Sequence, residues 1–539
     1  MLQSTMMDRP LTVTQLLLHG ARVHADSEII TWQGDRATRR SFAETYERVE
    51  RLASALKGLG VRSGDVVATF SWNNQEHVEA YLAVPCMGAV LHTLNVRLFP
   101  EQLNFVLRDG GARVVIVDGS LISTLASAPD ALDDVEHVIR VGEGPAELCG
   151  REVLRYEDLL ANTGSGFLWP DLDERSPAMI CHTSGTTGNP KGVVYSHRSQ
   201  WTHTFGAALS GLAIDERRRM LLVVPQFHAN GWGLVYACWA AGADLLQPGQ
   251  YLQPDHLATY IASERPNMSA AVPTVWNALL AYGEETDLDL SSLEEIMVGG
   301  SAVPRSLIES FHDRFGVRIV QAWGMTETSP IAALATPPRG ADTWNDQIPW
   351  RARTGRVLPG VDLRLVDGER EQPWDDHSVG EIQVRGPWIT GSYHGGAGQD
   401  RFTEDGWLRT GDVATIDDRG YVQIVDRTKD VIKSGGEWIS SVDLETVLIS
   451  HPDLIEACVV GVPDDRWDER PLAFVVPRSG VALDAGDLAA WLEGRVARWW
   501  IPERWAIIDE VPKTSVGKYD KKVLRRWLAG DEVEVTRVR

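Results

Sequence analysis

Cysteine is sparse in this sequence, and the few thiols present do not cluster. Cys86, Cys149, Cys181, Cys238 and Cys458 are five, an odd number, with no C-x-x-C pair. A disulfide framework or a structural zinc site needs paired, closely spaced thiols, so both are disfavoured and reduced, mostly buried cysteines are expected. Long hydrophobic runs are lacking as well. The longest run free of charged, histidine, amide and Ser or Thr side chains, residues 231–243, is 13 residues long, whereas a helix needs about 20 to cross a bilayer. No membrane span is expected. The start, MLQSTMMDRPLTV, has neither a basic n-region nor an apolar h-region, so no signal peptide is read there. Basic charge is in deficit, with 52 Lys and Arg against 75 Asp and Glu and a net charge of −23. Such a chain is a poor non-specific ligand for a phosphate backbone, and no nucleic-acid partner is expected. Also missing are a G-x-S-x-G elbow, an H-E-x-x-H pair, a G-x-G-x-x-G opening a helix after a strand, and an EF-hand loop.

What remains is the composition of a globular protein: 43% hydrophobic and 24% charged over 539 residues. At roughly 150 residues per domain this length corresponds to about three to four folding units. A cytoplasmic location is the expectation. Strand-like runs alternate with amphipathic stretches. Val49, Leu52, Ala53 and Leu56 keep helical spacing and stop at Gly58-Leu59-Gly60. Runs at 65–70 and 113–118 read as buried strands closed by turns. The alternation predicts an α/β fold with largely parallel sheets. Near residue 426 the character changes from Gly-rich turns to a denser, more charged segment opening Asp426-Arg427-Thr428-Lys429-Asp430. Strands at 457–462 and 472–476 and a helix at 487–500 are expected beyond it. The predicted organisation is an N-terminal region 1–426, a hinge 427–430 and a C-terminal domain 431–539.

One segment concentrates the chemistry of phosphate binding. Thr183-Ser184-Gly185-Thr186-Thr187-Gly188-Asn189-Pro190-Lys191-Gly192 follows the apolar Ala178-Met179-Ile180. Hydroxyls and backbone N–H groups donate to phosphate oxygens, glycine admits close approach, and lysine adds a cation. It is not a Walker A loop, because Lys191 is followed by Gly. A flexible Ser/Thr/Gly linker is the competing reading.

With its companions this segment resembles the phosphate-loop signature of the acyl-adenylate-forming superfamily, which contains acyl-CoA synthetases, luciferases and peptide-synthetase adenylation domains. The companions, in the family's order, are Gly299-Gly300-Ser301-Ala302, Trp323-Gly324-Met325-Thr326-Glu327-Thr328, Thr410-Gly411-Asp412, Asp426-Arg427-Thr428-Lys429-Asp430 and Pro512-Lys513-Thr514-Ser515-Val516-Gly517-Lys518. The run from Lys433 through Gly435, Gly436 and Trp438 is most similar to bacterial medium- and long-chain fatty acyl-CoA synthetases. Trp72-Asn73-Asn74 and the segment 97–103 also resemble synthetases of short methylthio-alkanoates.

The resemblance implies a large multi-subdomain N-terminal region of layered sheets and helices with a small mobile α+β C-terminal domain. It implies ATP, Mg2+ and coenzyme A as cofactors, a small carboxylic acid as substrate, and a homodimer as a possible assembly. Thr183, Ser184, Gly185, Thr186, Thr187 and Lys191 are then phosphate ligands. Gly300, Ser301, Ala302, Trp323, Gly324 and Met325 surround adenine and the acyl group. Asp412 and Arg427 hold ribose, although an Asx turn and a surface ion pair are the plainer readings of those residues. Thr326 and Glu327 suit a magnesium-bound triphosphate, with Thr186 and Glu327 the implied metal ligands. Lys518 resembles the lysine that enters the site for adenylation, where a cation offsets developing charge. Lys433, Gly435, Gly436 and Trp438 resemble the segment that faces the site for thioester formation, with Lys429 at the hinge. Gly299, His228 and Trp232 are expected at the acid pocket, His228 beside the carboxylate and Trp232 as its gate. Other acids, an amine or carrier-protein acceptor, and a catalytically silent nucleotide-binding protein are the alternatives.

Overall fold

The computed structural model describes residues 4–183, 189–434, 437–464, 466–478, 480–513 and 519–538. Local signals shape its elements. Helix Phe42–Gly58 starts at a capping box in which Ser41 and Glu44 satisfy each other's backbone N–H groups, a cap worth about 1 kcal/mol. Its Phe42, Val49, Leu52, Ala53 and Leu56 are buried, and Gly60, at φ 89°, turns the chain away. The runs read as strands fold as Val66–Phe70 and Ala112–Asp118.

Among the described residues three sheets form. An eight-stranded sheet pairs Pro177–His182, Val90–Thr93, Val66–Phe70, Ala112–Asp118, His137–Val141 and Arg151–Arg155 in parallel, with antiparallel edges. A fourteen-stranded sheet has a parallel half containing Arg219–Leu222, Met268–Ala271, Glu295–Gly299 and Arg318–Gly324, and an antiparallel half running to Tyr421–Arg427. The expectation of largely parallel sheets thus holds for the first sheet and for half of the second. Helix Gln75–Cys86 buries every side chain but Glu76. Its buried Gln75, His77 and Glu79 find hydrogen-bond partners, and its apolar residues join the main hydrophobic core, which draws residues from both sheets.

The third sheet, six-stranded and mainly antiparallel, belongs to the C-terminal part and has two cores of its own. Strands Leu454–Asp464 and Asp468–Pro477 extend the two that were expected. The helix expected at 487–500 is Ala485–Leu492 only. Gly494 adopts φ 74° and breaks the run, and residues 498–500 make one short turn.

Short contacts join this part to strand Tyr421–Arg427. Ser440 Oγ donates to the Val425 carbonyl, and Asp426 Oδ2 accepts from Ser441 N at 2.7 Å. Thr428 N donates to the Gly411 carbonyl at 2.9 Å. Arg525, on helix Lys521–Ala529, donates to Asp430 Oδ1 at 2.9 Å and to the Lys429 carbonyl at 3.3 Å. No described helix is long and apolar enough to cross a membrane.

Candidate active site

The parallel half of the large sheet sets the location. Pro225, Val272, Gly299, Gly300 and Ala322 through Gly324 lie at or just past the C-terminal ends of its strands and line one cavity of about 320 Å³. Ligands in open α/β sheets bind at this edge, where loops leave the strands. The smaller sheet contributes Thr183 and Lys191, and the antiparallel half contributes Thr410, Gly411, Arg427, Thr428 and Lys429.

Sequence motifs far apart in the chain therefore meet. Asp412, with a side chain 8% exposed, stands just behind the lining. It accepts from Trp323 Nε1 at 2.9 Å and pairs with Arg427 Nε at 3.2 Å. The carboxylate thus ties two lining side chains together. Glu327 is buried and accepts from the Tyr393 hydroxyl at 2.5 Å. Burial, and then the Glu327 charge, push the Tyr393 phenol above its ordinary range, so it stays a donor. Lys191 Nζ lies 4.9 Å from the Tyr393 ring centre. The Tyr195 hydroxyl donates to the Thr326 carbonyl at 2.6 Å and fixes the turn Thr326–Thr328.

The two sides of the 183–191 segment are clamped to each other, Thr183 N donating to the Lys191 carbonyl at 2.9 Å and Lys191 N to Thr183 Oγ1 at 3.0 Å. Ser184, Gly185, Thr186 and Thr187 lie outside the described residues, as do Gly435, Gly436 and Lys518.

The apolar end of the cavity is walled by Phe227, Ala229, Trp232, Val272, Ala322 and Ile331, with His228 beside them. It rests on a backbone turn of one unusual hand. Ala229, Asn230, Gly231, Trp232 and Gly233 have φ of 36°, 38°, 59°, 58° and 73°. A side-chain-bearing residue in this region costs roughly 1–2 kcal/mol, and the turn seats the Trp232 ring against Gly299. A Cβ on Gly299 would lie 3.3 Å from that ring and 2.8 Å from the Ala322 carbonyl.

Not every expected residue joins the cavity. Ser301 and Ala302 are exposed beyond its lining, because the chain turns outward after Gly300, at φ 88°. Lys433 and Trp438 pair on a hairpin of the C-terminal sheet, with Nζ 4.9 Å from the indole centre, and do not line it either. The structure adds residues that no motif marked, Tyr393 and Arg401 from the Gly-rich stretch after 386, and brings in Arg97 from the segment 97–103. A cation and an aromatic among glycines were the available signal for the first two.

The AMP-binding enzyme profile matches residues 17–394, and the profile of the AMP-binding enzyme C-terminal domain matches residues 443–518. The chain belongs to the AMP-binding enzyme family. Relatives of this AMP-binding enzyme align over nearly the whole chain. A 3-methylmercaptopropionyl-CoA ligase of Ruegeria pomeroyi is 40% identical over 528 residues, covering 96% of this chain and 98% of its own. A long-chain-fatty-acid–CoA ligase of Thermus thermophilus is 41% identical, covering 97% and 96%. Among solved structures, an anthranilate CoA ligase in complex with anthranoyl-AMP superposes with a TM-score of 0.87 at 27% identity, covering 97% and 99%. An o-succinylbenzoate coenzyme A synthetase of Bacillus subtilis, in complex with ATP and magnesium, gives 0.79 at 26%, covering 95% and 99%.

Proposed function

We propose that this AMP-binding enzyme activates a carboxylic acid with ATP and passes the acyl group to coenzyme A. The observation that carries this reading is one cavity in which cations and an apolar wall face each other. Lys191, Arg401, Arg427 and Lys429 meet a polyanion at one end, and Trp232, Val272 and Ala322 meet a hydrocarbon at the other. A carboxylate is a poor acyl electrophile. One of its oxygens attacks the α-phosphate of ATP, pyrophosphate leaves, and acyl-AMP forms. The thiol of coenzyme A then adds to the acyl carbon and AMP departs. Both steps need placement and charge stabilisation more than a protein nucleophile.

In this reading Thr183 and Lys191 hold phosphates, Gly300 and the Trp323 to Met325 segment border the base, and Asp412 with Arg427 takes the ribose. His228 and Trp232 place the acid. Among the described residues no three His, Cys, Asp or Glu side chains gather as a metal site. Mg2+ keeps several waters and takes one or two carboxylates with substrate phosphates. Glu327, the carboxylate in the lining, would hold it with Thr326 nearby, and the ion would supply neutralisation of phosphate charge. Lys518 would reach the site for adenylation. Residues 431–539 would then turn about Lys429 to bring the segment containing Lys433 and Trp438 into its place.

The acid is taken to be a fatty acid. A short methylthio-alkanoate is the second reading, favoured by the Trp232 ring closing the apolar end against Gly299 and by the 40% identity to the methylmercaptopropionyl ligase. A panel of saturated, methylthio-, aryl and branched acids, scored by pyrophosphate release, tests both. Release confined to long-chain acids would exclude the short-acid reading. No release with any acid would sink the enzyme reading.

A further inference from the structure

Behind Thr183 lies a chain of ionisable side chains, two buried histidines and a half-buried aspartate, to which the reaction outlined above assigns nothing. His182, 5% exposed, ends strand Pro177–His182 and directly precedes Thr183. Its backbone is paired with Gly192, on the far side of the same segment. Its ring joins Asp109, on helix Pro100–Gly110, at 2.9 Å and His92, on the adjacent parallel strand Val90–Thr93, at 3.0 Å.

The order of protons along this chain follows from its carboxylate end. A carboxylate accepts, so His182 donates through Nε2 to Asp109 Oδ2. Nδ1 of the same neutral ring is then bare and accepts from His92 Nε2–H. That leaves His92 Nδ1 as a buried acceptor with no partner among the described residues. Gly110 makes room for the His92 ring, since a Cβ there would stand 2.3 Å from its Nδ1. Beside Gly192 and His182, His394 donates through Nε2 to the Asp109 carbonyl at 3.0 Å. His394 directly follows Tyr393, the residue bound to Glu327 and stacked under Lys191. Helix Pro100–Gly110 is thereby bonded to two of the segments that deliver polar groups to the cavity.

We propose that His182 is a positioning residue for the nucleotide, holding Thr183 and Lys191 at the cavity through the oriented relay Asp109–His182–His92. The proposal rests on the reading of Thr183 and Lys191 as phosphate ligands. Protonation of His182 would give it a second N–H aimed at the N–H of His92 and break the relay. Burial opposes this, keeping both rings below the ordinary histidine range, His92 well below, with His394 acting in the same direction and Asp109 against it at His182. The groups facing the relay are Asp109, His92, His182 and His394.

The test measures ATP binding by calorimetry on the full chain, and KM for ATP and for the acid by pyrophosphate exchange. His182→Phe keeps a ring and loses both hydrogen bonds. It should raise Kd and KM for ATP about tenfold and leave the KM for the acid unchanged. Asp109→Asn retains an oxygen to accept the Nε2–H and should behave as wild type, while Asp109→Leu should reproduce the His182→Phe loss. An unchanged Kd for ATP in His182→Phe overturns the proposal, as do equal losses for ATP and acid, or Asp109→Leu indistinguishable from Asp109→Asn. If His182→Phe does not fold, the two Asp109 variants decide alone. Wild type that binds ATP but exchanges no pyrophosphate would refute the reaction and leave the relay to be judged by Kd.

Discussion

Asp412 shows how a single side chain changes meaning between sequence and structure. In the sequence it is an aspartate after a glycine, and an Asx turn accounts for it. In the fold its two oxygens are divided, one to the Trp323 indole and one to Arg427. Both partners line the cavity, so the carboxylate sets their spacing. Asp412→Asn retains one acceptor and loses the charge, and a hydrogen bond to a charged group is worth roughly 1.5–3 kcal/mol. The expected outcome is a KM for ATP raised about tenfold with little change for the acid, read from pyrophosphate release. An equal KM for ATP would mean that Arg427 and Trp323 hold their places without it. Tyr393 and Arg401 were not legible in the same way. They sit in a stretch whose glycines read as turns, and their importance comes from meeting Glu327 and Thr410 across the fold.

The elements differ in how far local signals carry them. Helix Phe42–Gly58 was readable because its cap, apolar spacing and terminal glycine agree. The helix expected at 487–500 was overextended, because periodicity gave no weight to the left-handed Gly494. The turn Ala229–Gly233 was invisible as a shape, since only two of its five residues are glycine and no propensity calls for successive positive φ. Strain of this kind persists when the surroundings dictate it and tends to occur at functional sites. A Cβ on Gly233 would stand 2.5 Å from His203 Nδ1 at φ 73°. Gly233→Ala should therefore lose about 1–3 kcal/mol of stability, seen as a lower thermal midpoint, and should alter the acid profile through Trp232. A midpoint equal to wild type would show that the turn relaxes freely.

At the scale of the whole molecule, the motifs around 183–191, 299–300, 323–327 and 410–429 meet at one cavity, whereas the sheet order and the composition of the main core were beyond the motifs. Buried histidines give the assembled protein a pH signature. Burial lowers His77 to about 4, His197 to about 4 and His203 to about 3. The folded values lie below the unfolded one, so the stability from these neutral rings is full above pH 6.5 and is lost as pH falls toward 4. The thermal midpoint should drop across that window, and unfolding at pH 5.5 should take up protons, measurable by calorimetry in buffers of different ionisation enthalpy. Proton release there would contradict the assignment. The proposed two-orientation cycle makes a separate prediction: Lys518→Ala should abolish acyl-AMP formation while sparing thioester formation from supplied acyl-AMP. Equal loss of both half-reactions would argue for one fixed orientation.

In the proposed turn about Lys429, the contacts of the seam divide mechanically into those that would travel and those that would part. Thr428 is bonded to Gly411 on the large body, whereas Arg525 grips Asp430 and the Lys429 carbonyl from the C-terminal side. Such a turn would also strain the bonds from Asp430 N and Val431 N to the Arg427 carbonyl, at 2.8 and 2.7 Å. The Ser440 and Ser441 hydrogen bonds to Val425 and Asp426 span that pivot and would have to let go in that turn. At roughly 1 kcal/mol each, more where a charge is involved, they would act as a detent: firm enough to give this orientation a definite stop, weak enough for thermal motion to click past it.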